Sequence, residues 1–160
     1  MAEKKSINLV ISNNQYSEKL IPTGQTYKRV LILEDNIEVT TEGFLYNKGK
    51  STYITYDEVA DGGLENTKTI VKLEGEDKLQ IRRYGKDDGA GMMDMRLEEG
   101  VLNITRYVIP TGNLEMEIYT NKIENSLDED GFGKISADYK IKMEPYVNLR
   151  NKLEIEVKPC

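Results

Sequence analysis

The chain predicts an all-β fold, an antiparallel up-and-down barrel or sandwich, on three observations. Runs such as Leu114-Glu-Met-Glu-Ile-Tyr-Thr120 and Lys134-Ile-Ser-Ala-Asp-Tyr-Lys-Ile-Lys-Met143 alternate apolar and polar residues. That period of two belongs to strands that bury one face and wet the other. Short connections rich in Gly, Asp and Asn separate the runs, as in a meander. No segment longer than a couple of helical turns carries a 3.6-residue period. A meander cannot bury its apolar face alone, so a second sheet covers it or the sheet curls until it closes on itself.

Taken in order, Ser6 to Ser12 reads as the first strand, with Ile7, Leu9 and Ile11 on one face. Asn13 to Gln25 is polar and holds Pro22 and Gly24, so a connection is expected there, with at most a turn or two of helix around Tyr16 to Leu20. Tyr27 to Leu33 is β-rich, and Glu34-Asp-Asn36 reads as a turn. Ile37 to Asn47 and Thr52 to Val59 form a hairpin about Lys48-Gly-Lys50. Strands at Thr67 to Leu73 and Lys78 to Tyr84 flank the turn Glu74-Gly-Glu-Asp77, and the loop Gly85 to Gly91 leads to a strand at Met92 to Glu99. Leu102 to Met143 supplies a three-stranded meander, and Asn148 to Lys158 closes the chain with Leu153, Ile155 and Val157 on one face. The count is roughly nine to eleven strands.

At 160 residues the expectation is one domain over residues 1–160, with 13–35 a polar connection plus an extra strand and 36–158 the barrel meander. The net charge of −6 argues against an extensive phosphate-binding surface, so no nucleic-acid partner is expected. Histidine is absent and the one cysteine is Cys160, which removes Ser-His-Asp and Cys-His nucleophiles and imidazole or thiolate zinc sites. No metal and no cofactor are therefore expected. The apolar run Ile7 to Ile11 is too short for a signal-peptide core, and no long apolar segment exists, so the expected location is cytoplasmic, with no membrane partner.

The chemistry-bearing motifs are weak. Asp128-Glu-Asp-Gly-Phe-Gly133 has the acids of a calcium loop but lacks a glutamate at the twelfth position, where Tyr139 stands, and reads as a hairpin turn. Gly85 to Gly91 lacks the Gly-Lys-Ser/Thr ending of a phosphate loop and carries Asp87-Asp88. Asn103-Ile-Thr105 matches a glycosylation sequon but lies inside a strand. Glu115, Glu117, Glu154, Glu156 and Asp138 all fall on the wet phase, where carboxylates titrate normally, so no catalytic residue is assigned.

Parity also places polar and flexible groups inside. In Lys78 to Tyr84 the phase of Leu79 and Ile81 continues to Arg83, so a guanidinium stands at the end of the buried face. It must be satisfied by a carboxylate such as Asp57, by reaching the rim, or by a bound anion. Thr69 and Tyr139 also sit on inward phases, as do Met93, Met95, Met116 and Met143, whose thioethers fill cores or line adaptable cavities. The candidate ligand-binding residues are Arg83, Thr69, Met95, Met116 and Tyr139.

Several segments are similar, in order, to the YwiB-like family of small bacterial proteins. They are Thr41-Thr-Glu-Gly-Phe, Leu64-Glu-Asn-Thr-Lys-Thr-Ile-Val-Lys72, Arg83-Tyr-Gly85, Tyr107 to Gly112 with Leu114-Glu115, and Ile123 to Leu127 followed by Gly133-Lys-Ile-Ser. The likeness spans Asn36 to Val157 and implies a calycin-like (lipocalin-like) barrel of about 8–10 strands with no assigned biochemical function. Ile109-Pro110-Thr111-Gly112 departs from the family's Thr-Pro-aromatic-Gly, and Asn13 to Asp35 is longer than the family usually carries.

Three functional readings follow. The first is a non-enzymatic module holding a small, anionic, amphipathic ligand inside the barrel. The second is a structural or regulatory barrel with a solid core and a protein partner, docked through the segment before Ile37. The third, an enzyme using carboxylates or tyrosine, ranks last because parity exposes most candidates. Oligomeric state stays open.

Overall fold

A computed structural model describes residues 4–57, 67–85, 92–109, 112–143 and 147–160. Its strands are β1 (Lys5–Thr23), β2 (Thr26–Lys48), β3 (Ser51–Asp57), β4 (Thr67–Glu74), β5 (Lys78–Gly85), β6 (Met92–Glu98), β7 (Leu102–Ile109), β8 (Gly112–Asn125), β9 (Gly133–Met143) and β10 (Val147–Pro159). Each pairs antiparallel with its sequence neighbour, and β1 pairs with both β2 and β10, which closes the barrel. No helix is long and apolar enough to cross a membrane among these residues.

The expected connection at Asn13 to Gln25 is instead a continuation of β1, and the expected turn at Glu34-Asp-Asn36 lies within β2. Gln15 faces Asp35 but Tyr16 faces Leu33, so Glu34 is one extra residue, a bulge that absorbs the polar triplet without ending the strand. The true turn is Gly24-Gln25, where Gly24 has φ +75° and Thr23 and Thr26 share a hydroxyl contact of 3.0 Å. Polar composition suggested a loop, but a polar ribbon is what two strands become when little of the barrel covers them. β10 accompanies β1 only to Tyr16, and β3 accompanies β2 only to Gly43. Beyond those points, among the described residues, β1 and β2 pair only with each other.

Inside, the alternation packs Ile7, Leu9, Ile54, Val71, Leu79, Leu97, Ile118, Ile135, Ile155 and Val157 into a core with almost no exposure. Leu127 and Phe132 of the β8–β9 connection pack against one end of that core. The connection lies close: Gly131 (φ +89°) leaves room for the Leu45 methyls, and Lys5 Nζ donates to the Asp130 carbonyl at 2.7 Å. The Asp128 carboxylate accepts from the amides of Asp130 and Phe132, so the acids of the supposed calcium loop hold a turn.

The wall is thinnest between β6 and β7, where only Met92–Val108 and Met93–Tyr107 are in register. Lower down, β7 reaches across with side chains: Asn103 donates to the Arg96 carbonyl at 3.0 Å and Thr105 to the Asp94 carbonyl. These polar residues take the inward phase, opposite Ile118 and Met116, and leave Leu102 and Ile104 exposed. The phase of β7 is thus inverted, because its inner positions satisfy carbonyls of β6 that lack a strand partner.

Most of the Gly85 to Gly91 loop, the centre of the Ile109 to Gly112 turn, residues 64–66 and the side chains of Thr67, Tyr84 and Met93 lie outside the described residues.

Candidate functional site

Above the packed core, the barrel end where β3, β5, β7 and β9 finish is less tightly filled. There a cavity of about 220 Å³ remains. Its polar lining consists of Asn13, Gln15, Tyr56, Arg83, Tyr139 and Asn151, and its apolar floor includes Ile81, Met95 and Leu153.

Register explains why polar groups converge here. Tyr56 faces Thr69, and Thr69 faces Arg83 across β3, β4 and β5. On the other side Thr120 faces Tyr139, Tyr139 faces Asn151, and Asn151 faces Gln15 across β8, β9, β10 and β1. All but Gln15, which follows Asn13, take the inward position next to an apolar one, so seven strands contribute one polar layer above the hydrophobic floor.

The layer is deeply buried, with Asn151 only 1% exposed and Thr69 and Thr120 fully covered. Asn13 Nδ2 donates to Asn151 Oδ1 at 3.3 Å. That leaves Asn13 Oδ1, Asn151 Nδ2 and Thr120 Oγ1 buried without a hydrogen-bond partner. A paired Asn–Asn contact keeps a spare donor and a spare acceptor whichever way the two amides are turned. Each such group left unmet costs about 1–3 kcal/mol, which a polar occupant would recover at Asn13 and Asn151, the two that line the cavity. Among the described residues, none lining the cavity is a carboxylate, so the formal charge of the lining is positive.

Burial pushes the Tyr139 phenol up to about 12, against the opposing pull of the Arg83 charge. It is a neutral hydroxyl at physiological pH. Because the folded state holds this proton more tightly, the stabilisation is complete below the ordinary tyrosine value of 10.0 and is lost as pH rises toward about 12. Urea unfolding across that window should show a loss of about 2–3 kcal/mol beyond that of Tyr139→Phe. Parallel curves for the two proteins would refute the assignment.

Of the residues singled out by parity, Arg83, Met95 and Tyr139 line the cavity. Thr69 and Met116 are buried in the wall but are not among the lining residues. Asn13, Gln15, Tyr56 and Asn151 escaped notice, although the phase of Ile7, Leu9 and Ile11 runs on to Asn13 and Gln15, that of Ile54 to Tyr56, and that of Leu153 back to Asn151. Asp57 is exposed and faces Lys68, on the phase opposite to Arg83.

On the outer wall one expectation fails. Asp138 does not titrate normally, because the Arg150 guanidinium grips both its oxygens at 2.8 and 2.7 Å and holds its carboxyl below the usual range. A larger concavity of about 370 Å³ lies over β4, β5 and β6. Its two ammonium groups are already matched, Lys72 to Glu74 at 2.6 Å and Lys78 to Glu98 at 3.8 Å, and Arg96 also lines it. Among the described residues no group of three acidic, cysteine or histidine side chains is placed to hold a metal ion.

Known proteins resemble this chain in sequence and fold. The family model of a domain of unknown function, DUF1934, matches residues 25–155. The uncharacterized β-barrel protein YwiB of Bacillus subtilis (strain 168) is 35% identical over 113 residues, covering 68% of this chain and 74% of YwiB. The crystal structure of the Bacillus subtilis ywiB protein superposes with a TM-score of 0.70 at 25% identity, over 98% of this chain and 93% of that one.

Proposed function

The chain belongs to the DUF1934 family, whose β-barrel relative is itself uncharacterized, and on that premise we propose that it is a non-enzymatic module binding a small anion in the mouth of its barrel. The observation that carries this reading is the polar layer, with spare hydrogen-bonding capacity on Asn13 and Asn151 in the cavity that Arg83 also lines, and no carboxylate among the described lining residues. A neutral Tyr139 hydroxyl adds a donor that does not repel negative charge. Volume limits the occupant. About 220 Å³ is the liquid share of about seven waters and falls below the roughly 300–1,000 Å³ of sites for drug-sized molecules. A short carboxylate or a phosphate fits, its apolar part over Met95 and Leu153 and its charge toward Arg83.

A thermal-shift screen of inorganic phosphate and short-chain carboxylates tests this. The wild type should be stabilised, by about 2.7 kcal/mol when ligand stands at 100 times its Kd. Arg83→Met and Asn151→Leu should each remain folded and lose the shift. No response from the wild type, or an equal one from Arg83→Met, would remove the proposal. A second reading, a structural barrel acting through its outside, is favoured by the large apolar core packed inside the barrel.

A further inference from the structure

The β1/β2 ribbon has two edges, and they differ. Along β1 beyond Tyr16, the exposed edge carries Pro22, which lacks a donor and blocks strand addition. Along β2, among the described residues, no strand pairs with Thr26 to Glu42 on the side away from β1. The two-residue turn pairs Thr26 with Thr23, so the groups of Tyr27, Arg29, Leu31 and Leu33 alternate onto this free edge.

Its sequence is self-complementary. Lys28-Arg29 precedes the apolar run Val30-Leu-Ile-Leu33, and Glu34-Asp35 follows it. Charges on an edge usually keep strands apart. Here the two signs stand at opposite ends of one apolar run, so antiparallel alignment with an identical strand brings unlike charges together, whereas parallel alignment sets like against like. Present partners leave these charges available: Arg29 reaches Glu18 only at 3.9 Å, and Glu34 accepts one bond from Ser17. Apolar surface accompanies them, with Tyr27 69% and Leu33 53% exposed.

We propose that two copies of this chain associate through antiparallel pairing of their β2 edges, about a two-fold axis near Ile32. Leu31 of each copy then lies against Leu33 of the other and Arg29 against Asp35, with Lys28 diagonal to Glu34 at both ends. The four strands form one continuous sheet linking two barrels, an isologous contact that closes on itself. This rests on the ribbon and is independent of the cavity.

Sedimentation equilibrium of the full chain at low salt tests it. The wild type should weigh as a dimer. Lys28→Glu with Arg29→Glu, and separately Glu34→Lys with Asp35→Lys, should each weigh as monomers, since self-pairing would set like charges together. Mixed in equal amounts, the two variants should form a heterodimer, which a misfolded variant would not do. A monomeric wild type, dimers that persist in both variants, or a mixture that stays monomeric would overturn the proposal.

Discussion

Gly43→Ala is expected to cost about 3 kcal/mol or more and to shift urea unfolding accordingly. Gly43 is buried on β2, between Ile7 of β1 and Tyr56 of β3. A Cβ there would stand 2.3 Å from the Thr55 carbonyl oxygen, 3.1 Å from Leu9 Cδ1 and 3.2 Å from Tyr56 Cβ. A side chain can swing away, but a carbonyl held in a sheet cannot. Leu9→Ala therefore should not rescue the variant, and the double variant should be less stable than either single one. A midpoint for Gly43→Ala within error of wild type would show that the β2–β3 contact is looser than this geometry.

Ile118→Ala should cost about 2–5 kcal/mol, while Ile104→Ala changes stability by less than about 0.5 kcal/mol. The two isoleucines lie on adjacent strands, Ile118 opposite Asn103 and Ile104 opposite Glu117. One is 0% and the other 61% exposed. Replacing Ile118 opens a cavity among packed neighbours that cannot collapse fully; replacing Ile104 removes a side chain already in water. Urea midpoints at constant m-value separate the cases, and comparable losses would contradict the inverted phase of β7.

That inversion marks where reading by alternation fails. For β5, β8, β9 and β10 the apolar phase is the inner phase, so Leu79, Ile118, Ile135 and Ile155 stand where the period places them. On β7 the apolar residues are outside, because Asn103 and Thr105 are needed on the inner phase to meet the carbonyls of β6. A gap between strands is a property of the closed wall, and no pattern within β7 announces it. The ribbon failed for a related reason. Pro22, Gly24 and the Glu34-Asp-Asn36 triplet are turn formers by local chemistry, yet a two-residue hairpin and a single bulge accommodate them inside long strands.

The candidate site was half visible. Arg83, Met95 and Tyr139 followed from parity within their own strands, but Asn13, Gln15, Tyr56 and Asn151 join them only through registers that set seven strands level. By itself the sequence determined the antiparallel all-β class, most strand positions and the inward face of most strands, because a period of two is a local consequence of the pleat. Tertiary structure alone decided that the barrel closes through β1, that a cavity remains at one mouth, and that the polar residues share one layer there. Those outcomes depend on which residues of distant strands come opposite one another, and that is settled by packing across the whole wall, not within any one segment.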